Sequence, residues 1–164
     1  MIRIGNQTSF AAATPTAPFD YALANRFDAF EWFPDKKPGA GWDESDLLPA
    51  MRGRIRQQAR EARIRMSVHA RWQANPLLPG SAAWFEADLN LAGDLGAELL
   101  NIHLHHEQGL TAFVEAITPL ARQAAERGLK LAIENTPLHS PDQFNELFAA
   151  LRAAHGLPFD QLGM

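Results

Sequence analysis

The sequence predicts an incomplete parallel α/β fold of the barrel type, built from about five strand–helix units with the helices on the outer face. Short apolar stretches of strand length alternate along the chain with longer amphipathic stretches. Three of the predicted strands also end in an imidazole or a carboxylate, at His69, His103 and Glu134. The strands of a doubly wound sheet are apolar on both faces, whereas a barrel holds polar groups at its C-terminal mouth. We therefore favour the barrel, although a closed one needs eight strands.

The strands and helices alternate from residue 1 to residue 164 without a change in composition, which predicts one partial barrel domain. The predicted strands cover residues 2–7, 29–33, 64–69, 99–104 and 130–134. The predicted helices cover residues 19–25, 43–63, 81–96, 110–127 and 140–156. The loops between them, notably 34–42 and 70–80, contain the Pro and Gly residues that are typical of turns.

Residues that favour helix ends set most of these boundaries. Acidic and Ser residues at 43–46 predict the start of the second helix, and Ser81 is the predicted N-cap of the third. Residues 140–143 combine a capping box with a proline at the first helical position. Three glycines predict helix ends because they tolerate the left-handed conformation, namely Gly96, Gly128 and Gly156.

Composition and charge exclude several classes of protein. The chain has 164 residues, 46% of them hydrophobic, a net charge of −4 and no cysteine. Disulfides and thiolate metal sites are therefore excluded, and the charge gives no general attraction to nucleic acid or to anionic membranes. The arginines of the second helix are typical of a solvated outer face. The sequence has no apolar run long enough to span a bilayer and no signal-peptide pattern, so we expect a cytoplasmic protein.

The three polar strand ends predict a metal site. His103 follows His69 by 34 residues and Glu134 follows His103 by 31, about the length of one βα unit. Side chains alternate across a strand, so all three share the face opposite the apolar residues. Imidazole and carboxylate ligands suit a divalent ion such as Mn²⁺, Zn²⁺, Co²⁺ or Mg²⁺. A single histidine at a strand end is more often a hydrogen-bonded structural residue than a ligand, but three such residues at equivalent strand ends favour a site. A carboxylate buried in an apolar strand also needs a partner.

Other residues near these strand ends are candidates for substrate binding. Glu31 lies on the same face of the second strand, and His105 follows His103 by two residues. His106 should point elsewhere. Trp72, in the loop after the third strand, would either wall a sugar-sized pocket or cap the end of the barrel. The predicted substrate-binding residues are Glu31, His69, His103, His105 and Trp72.

Four segments resemble the xylose isomerase-like TIM barrels, a family that includes sugar phosphate isomerases, epimerases and endonuclease IV. They are DAFEWF (28–33), SVHA (67–70), LLNIHLHH (99–106) and LAIENTP (131–137). The resemblance implies that Glu134 is a metal ligand and, in the epimerase branch, also a catalytic acid/base group. It implies that His69 and His103 are either zinc ligands or substrate-pocket residues. The chain resembles the N-terminal five-eighths of such a barrel, and its residues 159–164 would lead into a sixth strand.

The sequence supports two main functional hypotheses. The first is a metal-dependent isomerase or epimerase of a small sugar or polyol, which would remove a proton next to a carbonyl group. Because the second acid/base carboxylate of that family is absent, we expect little or no activity from this chain alone. The second is a non-catalytic partial barrel that acts as a binding or assembly module, with open sheet edges at the first and fifth strands that favour a homodimer. An endonuclease IV-like DNA repair enzyme ranks lower, because the chain is acidic.

Overall fold

The computed structural model describes residues 3–8, 11–137, 139–154 and 159–163. Within these residues, six parallel strands form one sheet in sequence order. The strands are β1 (Gly5–Gln7), β2 (Ala29–Trp32), β3 (Arg65–His69), β4 (Leu99–His103), β5 (Lys130–Glu134) and β6 (Leu162–Gly163). The helices are α1 (Ala17–Ala24), α2 (Pro49–Ala62), α3 (Ser81–Leu95), α4 (Leu110–Glu126) and α5 (Pro141–Ala153). Each strand pairs with the next along the chain, so the predicted barrel-type order is confirmed.

The two faces of the sheet differ in burial, as the alternation in the sequence predicts. Apolar side chains of one face join the helices in a continuous buried core and include Phe30, Trp32, Met66, Val68, Leu100, Ile102, Leu131 and Ile133. Polar side chains of the opposite face remain partly accessible, as at Glu31, Ser67, Asn101, His103 and Glu134. Burial of these apolar side chains between the sheet and the helices stabilises the fold by about 1.5–3 kcal/mol for each fully buried large side chain.

The helix predicted from residue 43 begins later, at Pro49. Asp43 instead caps a 3₁₀ turn over Glu44–Asp46, in which Ser45 N donates to Asp43 Oδ1 at 3.0 Å. Leu48 then adopts an extended ψ of 149°, because the residue before a proline is sterically excluded from the helical region. The acidic residues therefore cap a short turn and not α2.

Other boundaries differ by a few residues. The N-cap of α3 is Gly80, so Ser81 is the first helical residue and not the cap, while Gly96 closes the helix at φ +71° as predicted. The capping box of α5 forms, with Gln143 N donating to Ser140 Oγ at 3.3 Å. This helix ends at Ala153, and the predicted end at Gly156 lies outside the described residues.

The sheet has one more strand than predicted. The short β6 pairs with β5 through the register Leu131↔Leu162 and Ala132↔Gly163. An open edge was expected at the fifth strand, but in the described part of the chain the two edge strands are β1 and β6. None of the helices within the described ranges has the length and apolarity needed to cross a membrane.

Candidate functional site

Three predicted ligands meet at the C-terminal ends of β3, β4 and β5. His103 lies directly opposite Glu134 in the β4–β5 register, and His69 lies opposite Asn101 in the β3–β4 register. One ligand atom each from His69, His103 and Glu134 lies within 4.8 Å of the other two. The ring centroids of the two histidines are 4.7 Å apart. The structure thus brings the three side chains together, and their role as metal ligands stays a prediction.

The hydrogen bonds of His69 define which ring nitrogen faces the site. Its Nδ1 lies 2.6 Å from the carbonyl oxygen of Ala70, which can only accept, so Nδ1 carries the hydrogen. In the neutral ring, Nε2 then carries a lone pair, and it lies 3.0 Å from Oε2 of Glu134. Two acceptors so close repel each other unless a proton or a cation accompanies them. The residue as a whole is 4% exposed.

Glu134 presents one constrained and one open carboxylate oxygen. Oε2 accepts a hydrogen bond from Asn101 Nδ2 at 2.6 Å in addition to facing His69. Within the described ranges, no side chain or backbone group donates to Oε1. The side chain is 42% exposed, so the expectation of a buried carboxylate is wrong. The strand ends at this residue, and its side chain reaches solvent at the open face.

His103 is held as a neutral ring by its surroundings. Burial lowers the pKa of His103, and the neighbouring His69 lowers it further, while the carboxylate of Glu134 acts in the opposite direction. A neutral imidazole is the form that binds a metal ion, because protonation occupies the lone pair. The site therefore favours a ligand-competent His103 at neutral pH.

The other predicted substrate-binding residues lie at different depths. Glu31 is opposite Ser67, two residues before His69, and its Oε2 accepts from Ser67 Oγ at 3.0 Å. The ring of His105 lies 6.4 Å from that of His103, beside the predicted metal group, which consists of His69, His103 and Glu134. Trp72 is 54% exposed in the loop after β3, and so contributes little enclosure. The structure thus places Glu31 below the group and His105 beside it.

A second imidazole pair lies in the neighbouring loops, and the sequence analysis did not predict it. His106 Nδ1 lies 2.6 Å from Nε2 of His139, whose Nδ1 lies 2.8 Å from Thr136 Oγ1. Gln143 Nε2 lies 3.4 Å from the other nitrogen of His106. Burial lowers the pKa of His139, and His106 lowers it further. The expectation that His106 points elsewhere is consistent with this contact, but nothing in the local sequence indicates its partner.

A buried ion pair behind β3 is the second feature that the sequence analysis missed. Asp88, in α3, is fully buried, and its Oδ1 accepts from Arg71 Nη2 at 2.8 Å. Arg71 also donates to Glu44 Oε2 at 2.7 Å. Burial raises the pKa of Asp88 to about 6, and the Arg71 guanidinium opposes that shift. The sequence does contain one indication that Asp88 is buried, because it lies in the apolar stripe of α3 beside Phe85 and Leu89.

Comparison with known proteins identifies relatives of this fold. A family model described as the xylose isomerase-like TIM barrel matches residues 19–162. A search of curated proteins found no significant match. Among solved structures, a D-tagatose 3-epimerase-like protein is 16% identical with a TM-score of 0.70, and the match covers 99% of this chain and 64% of that protein.

Two further structures have printed descriptions that name a sugar or a metal salt. D-psicose 3-epimerase, solved in the presence of D-fructose, is 18% identical with a TM-score of 0.58, covering 80% of this chain and 52% of that protein. A Thermus thermophilus protein soaked with ZnCl₂ is 21% identical with a TM-score of 0.62, covering 98% of this chain and 64% of that protein. At these identities the likeness shows the fold alone.

The chain spans between half and two thirds of the length of these three proteins. The family match includes β2 to β5 and therefore all three strands that carry the metal group. Family match, strand order and structural neighbours agree on one assignment. The chain belongs to the xylose isomerase-like TIM barrel family.

Proposed function

We propose that this chain carries part of the active site of a metal-dependent isomerase or epimerase that acts on a small sugar or polyol. In this proposal His69, His103 and Glu134 bind a divalent ion such as Mn²⁺, Zn²⁺, Co²⁺ or Mg²⁺. The family assignment and the epimerases among the structural neighbours support the reaction class. The observation that carries the metal assignment is the convergence of one ligand atom each from His69, His103 and Glu134 within 4.8 Å of one another.

The donor atoms fit such an ion in type and spacing. Two imidazole nitrogens and a carboxylate oxygen are ligands of borderline divalent metals. Bonds of about 2.0–2.2 Å to one ion place two ligand atoms at most about 4.4 Å apart. The atoms observed within 4.8 Å of one another need only small side-chain rotations to meet that limit. A positive charge at this position would also remove the repulsion between the two facing acceptors.

The proposed chemistry is proton transfer next to a carbonyl group. The ion supplies polarisation of the substrate carbonyl oxygen, which acidifies the adjacent C–H. Glu134 then removes that proton through Oε1, since Oε2 is held by Asn101. Return of the proton to the former carbonyl carbon, with a hydroxyl proton passing between the two oxygens, gives isomerisation. Delivery of a different proton to the opposite face of the deprotonated carbon, while Glu134 keeps the one it removed, gives epimerisation. Epimerisation therefore needs a second acid/base group besides Glu134, and without one we expect metal binding with little or no epimerisation.

Substrate contacts in this proposal come from the residues around the metal group. A polyol on the concave face would accept or donate hydrogen bonds with Glu31 and His105, together with His69 and His103. The indole ring of Trp72 would stack on the same polyol. A sugar offers many hydroxyl groups, and carboxylate and imidazole side chains can both accept hydrogen bonds from them. This role distinguishes a sugar site from a purely structural metal site, whose ligands leave no open position.

A metal titration tests this proposal. Isothermal titration calorimetry with Zn²⁺ and Mn²⁺ should give one site in the wild-type protein, and H69A, H103A and E134Q should each weaken it at least tenfold. H139A is the matched control, because His139 is a histidine of a neighbouring loop outside the group. Equal binding by wild type and all three site variants would refute the metal assignment. A ketose panel that includes D-fructose and D-tagatose, assayed with Mn²⁺, tests the expected lack of epimerisation.

We also propose that the chain forms a homodimer through its open sheet edges. β1 and β6 each pair with one neighbour among the described residues, which leaves backbone donors and acceptors on their outer sides. A second copy is a partner that can supply complementary strands at both edges. Light scattering coupled to size-exclusion chromatography should give twice the mass of the chain, and a concentration-independent monomer would contradict this proposal. The absence of nucleic-acid and membrane partners and the cytoplasmic location stay predictions.

A further inference from the structure

We propose that Asp88 is a positioning residue for His69 and that it acts through the main chain of Arg71. Asp88 lies on α3 and does not contact the metal group, yet its carboxylate accepts from the Arg71 N–H at 3.3 Å through Oδ2. The adjoining carbonyl, that of Ala70, accepts from His69 Nδ1–H at 2.6 Å. The two hydrogen bonds use one peptide group, and this shared group is the physical link.

A peptide group is planar, and its N–H and C=O point in opposite directions when the bond is trans. The Ala70–Arg71 bond is trans, as are all peptide bonds of the described residues. When Asp88 holds the N–H on the α3 side, the carbonyl must point back toward β3. There it meets the Nδ1 of His69. The direction of this carbonyl therefore depends on a buried carboxylate one helix away.

Further contacts limit how far this peptide can rotate. Ala70 N donates to the carbonyl oxygen of Asn101 in β4 at 2.8 Å, and Ala74 N donates to the carbonyl oxygen of Arg71 at 2.8 Å. The guanidinium of Arg71 binds the other oxygen of Asp88 and reaches Glu44. Asp88 is fully buried, so its carboxylate has few alternative positions. The segment after β3 is held on both sides of the peptide in question.

The orientation of this peptide selects the tautomer of His69. A carbonyl at Nδ1 favours the hydrogen on that nitrogen, which leaves Nε2 with a lone pair toward Glu134. If the peptide turned over, Nδ1 would face an N–H donor, and the hydrogen would move to Nε2. That tautomer cannot bind a metal through Nε2. Outer-shell partners of metal-binding histidines act in this way, so the consequence for metal affinity rests on the proposed function.

The test combines a tautomer measurement with metal binding. ¹⁵N–¹H correlation spectra of the metal-free protein should show a hydrogen on Nδ1 of His69 in the wild type. In D88A the Nε2–H population should rise, and Zn²⁺ affinity should fall by about 10–100-fold. R71K retains the main-chain N–H and the positive charge, and should keep the wild-type tautomer. E86A, on the surface of the same helix, is the control for nonspecific effects on α3.

Each outcome bears on the inference. A wild-type His69 without a hydrogen on Nδ1 would overturn it without any variant. A folded D88A in which the His69 tautomer is unchanged would also overturn it. The same holds if the control E86A loses the Nδ1–H form of His69 as much as D88A does. If D88A does not fold, D88N takes its place, because it keeps the side-chain volume and one acceptor oxygen. We expect a smaller shift of the His69 tautomer in the same direction. No shift in D88N would overturn the inference. A tautomer shift in D88A without any metal binding by the wild type would sustain the positioning role and refute the proposed function instead.

Discussion

His69 Nε2 and Glu134 Oε2 lie 3.0 Å apart although β3 and β5 are not neighbours in the sheet. β4 lies between them, and at the usual spacing the two strands are about 9–10 Å apart. Both side chains therefore lean over Asn101, whose amide donates to the same Glu134 oxygen. Two side chains of this length can close that gap by leaning toward each other. Three separate strand ends thus form one group.

Asn101 should be necessary for the orientation of Glu134. Its amide holds Oε2 at 2.6 Å, and without that bond the partly exposed carboxylate can turn away from His69. We expect N101A to lower Zn²⁺ affinity by about 10–100-fold, since outer-shell partners commonly have effects of this size. Calorimetric titration measures it, with the exposed Asn145 of α5 changed to Ala as control. An N101A protein that binds Zn²⁺ as tightly as N145A would contradict this role.

Acidification should separate the two imidazoles of the neighbouring loops. Burial and the neighbouring His106 lower the pKa of His139 in the folded protein. In the unfolded chain the pKa of this histidine is near 6.5, so just below pH 6.5 the unfolded chain binds more protons than the folded protein. Stability therefore rises with pH in this window and is lost as the pH falls below about 6.5. Urea unfolding at several pH values should show a steeper dependence in wild type than in H139A. Identical slopes would show that the His106–His139 contact is not linked to protonation.

Removal of Arg71 should destabilise the protein more at pH 7.5 than at pH 5. R71M leaves the fully buried Asp88 without its cation, which costs about 3–5 kcal/mol when the carboxylate is charged. The folded-state pKa of Asp88, already raised to about 6, should rise further without the guanidinium. The folded state then binds more protons than the unfolded state, so stability falls as the pH rises from about 4 through the folded pKa.

Denaturant unfolding of R71M at both pH values measures this difference. The exposed pair between Arg127 and Glu86 supplies the control, and R127M should change stability by about 0–1 kcal/mol at either pH. A loss in R71M that is the same at pH 5 and pH 7.5 would show that Asp88 does not take up a proton when its partner is removed.

Gly93, inside α3, and Gly96, at its C-terminal cap, should respond in opposite ways to alanine. Gly93 lies inside the helix with open space around its missing Cβ, so G93A should stabilise by about 0.5–1 kcal/mol. Gly96 closes the helix at φ +71°, and a Cβ there would meet the Arg56 side chain at 3.0 Å. G96A should therefore destabilise by about 1 kcal/mol or more. Thermal unfolding of both variants measures the pair, and shifts of the same sign would contradict the assignment of the left-handed cap.

Local patterns were enough to predict the sheet and the strand ends that form the metal group. Alternation along β3 and β4 assigns His69 and His103 to one face, because a strand has a period of two residues. The predicted helix start at residue 43 failed where two local signals compete. The acidic residues there favour a cap, but Pro49 forbids helix in the residue before it.

Contacts between distant loops could not be read from the sequence. His106 and His139 are separated by a whole helix and a strand, and their contact depends on how the loops after β4 and β5 fold over each other. Asp88 and Arg71 are 17 residues apart, and only the apolar register of α3 indicates that Asp88 is buried. Patterns of two or three residues predict faces and caps, whereas partners across loops depend on the packed structure.

Anomalous diffraction from a Zn²⁺-soaked crystal tests the central claim most directly. We predict a zinc peak about 2.0–2.2 Å from His69 Nε2, a ring nitrogen of His103 and a Glu134 oxygen, on the concave face of the sheet. A peak at the His106–His139 pair with none at this group would contradict the account, and so would a soaked crystal in which no zinc lies between β3 and β5.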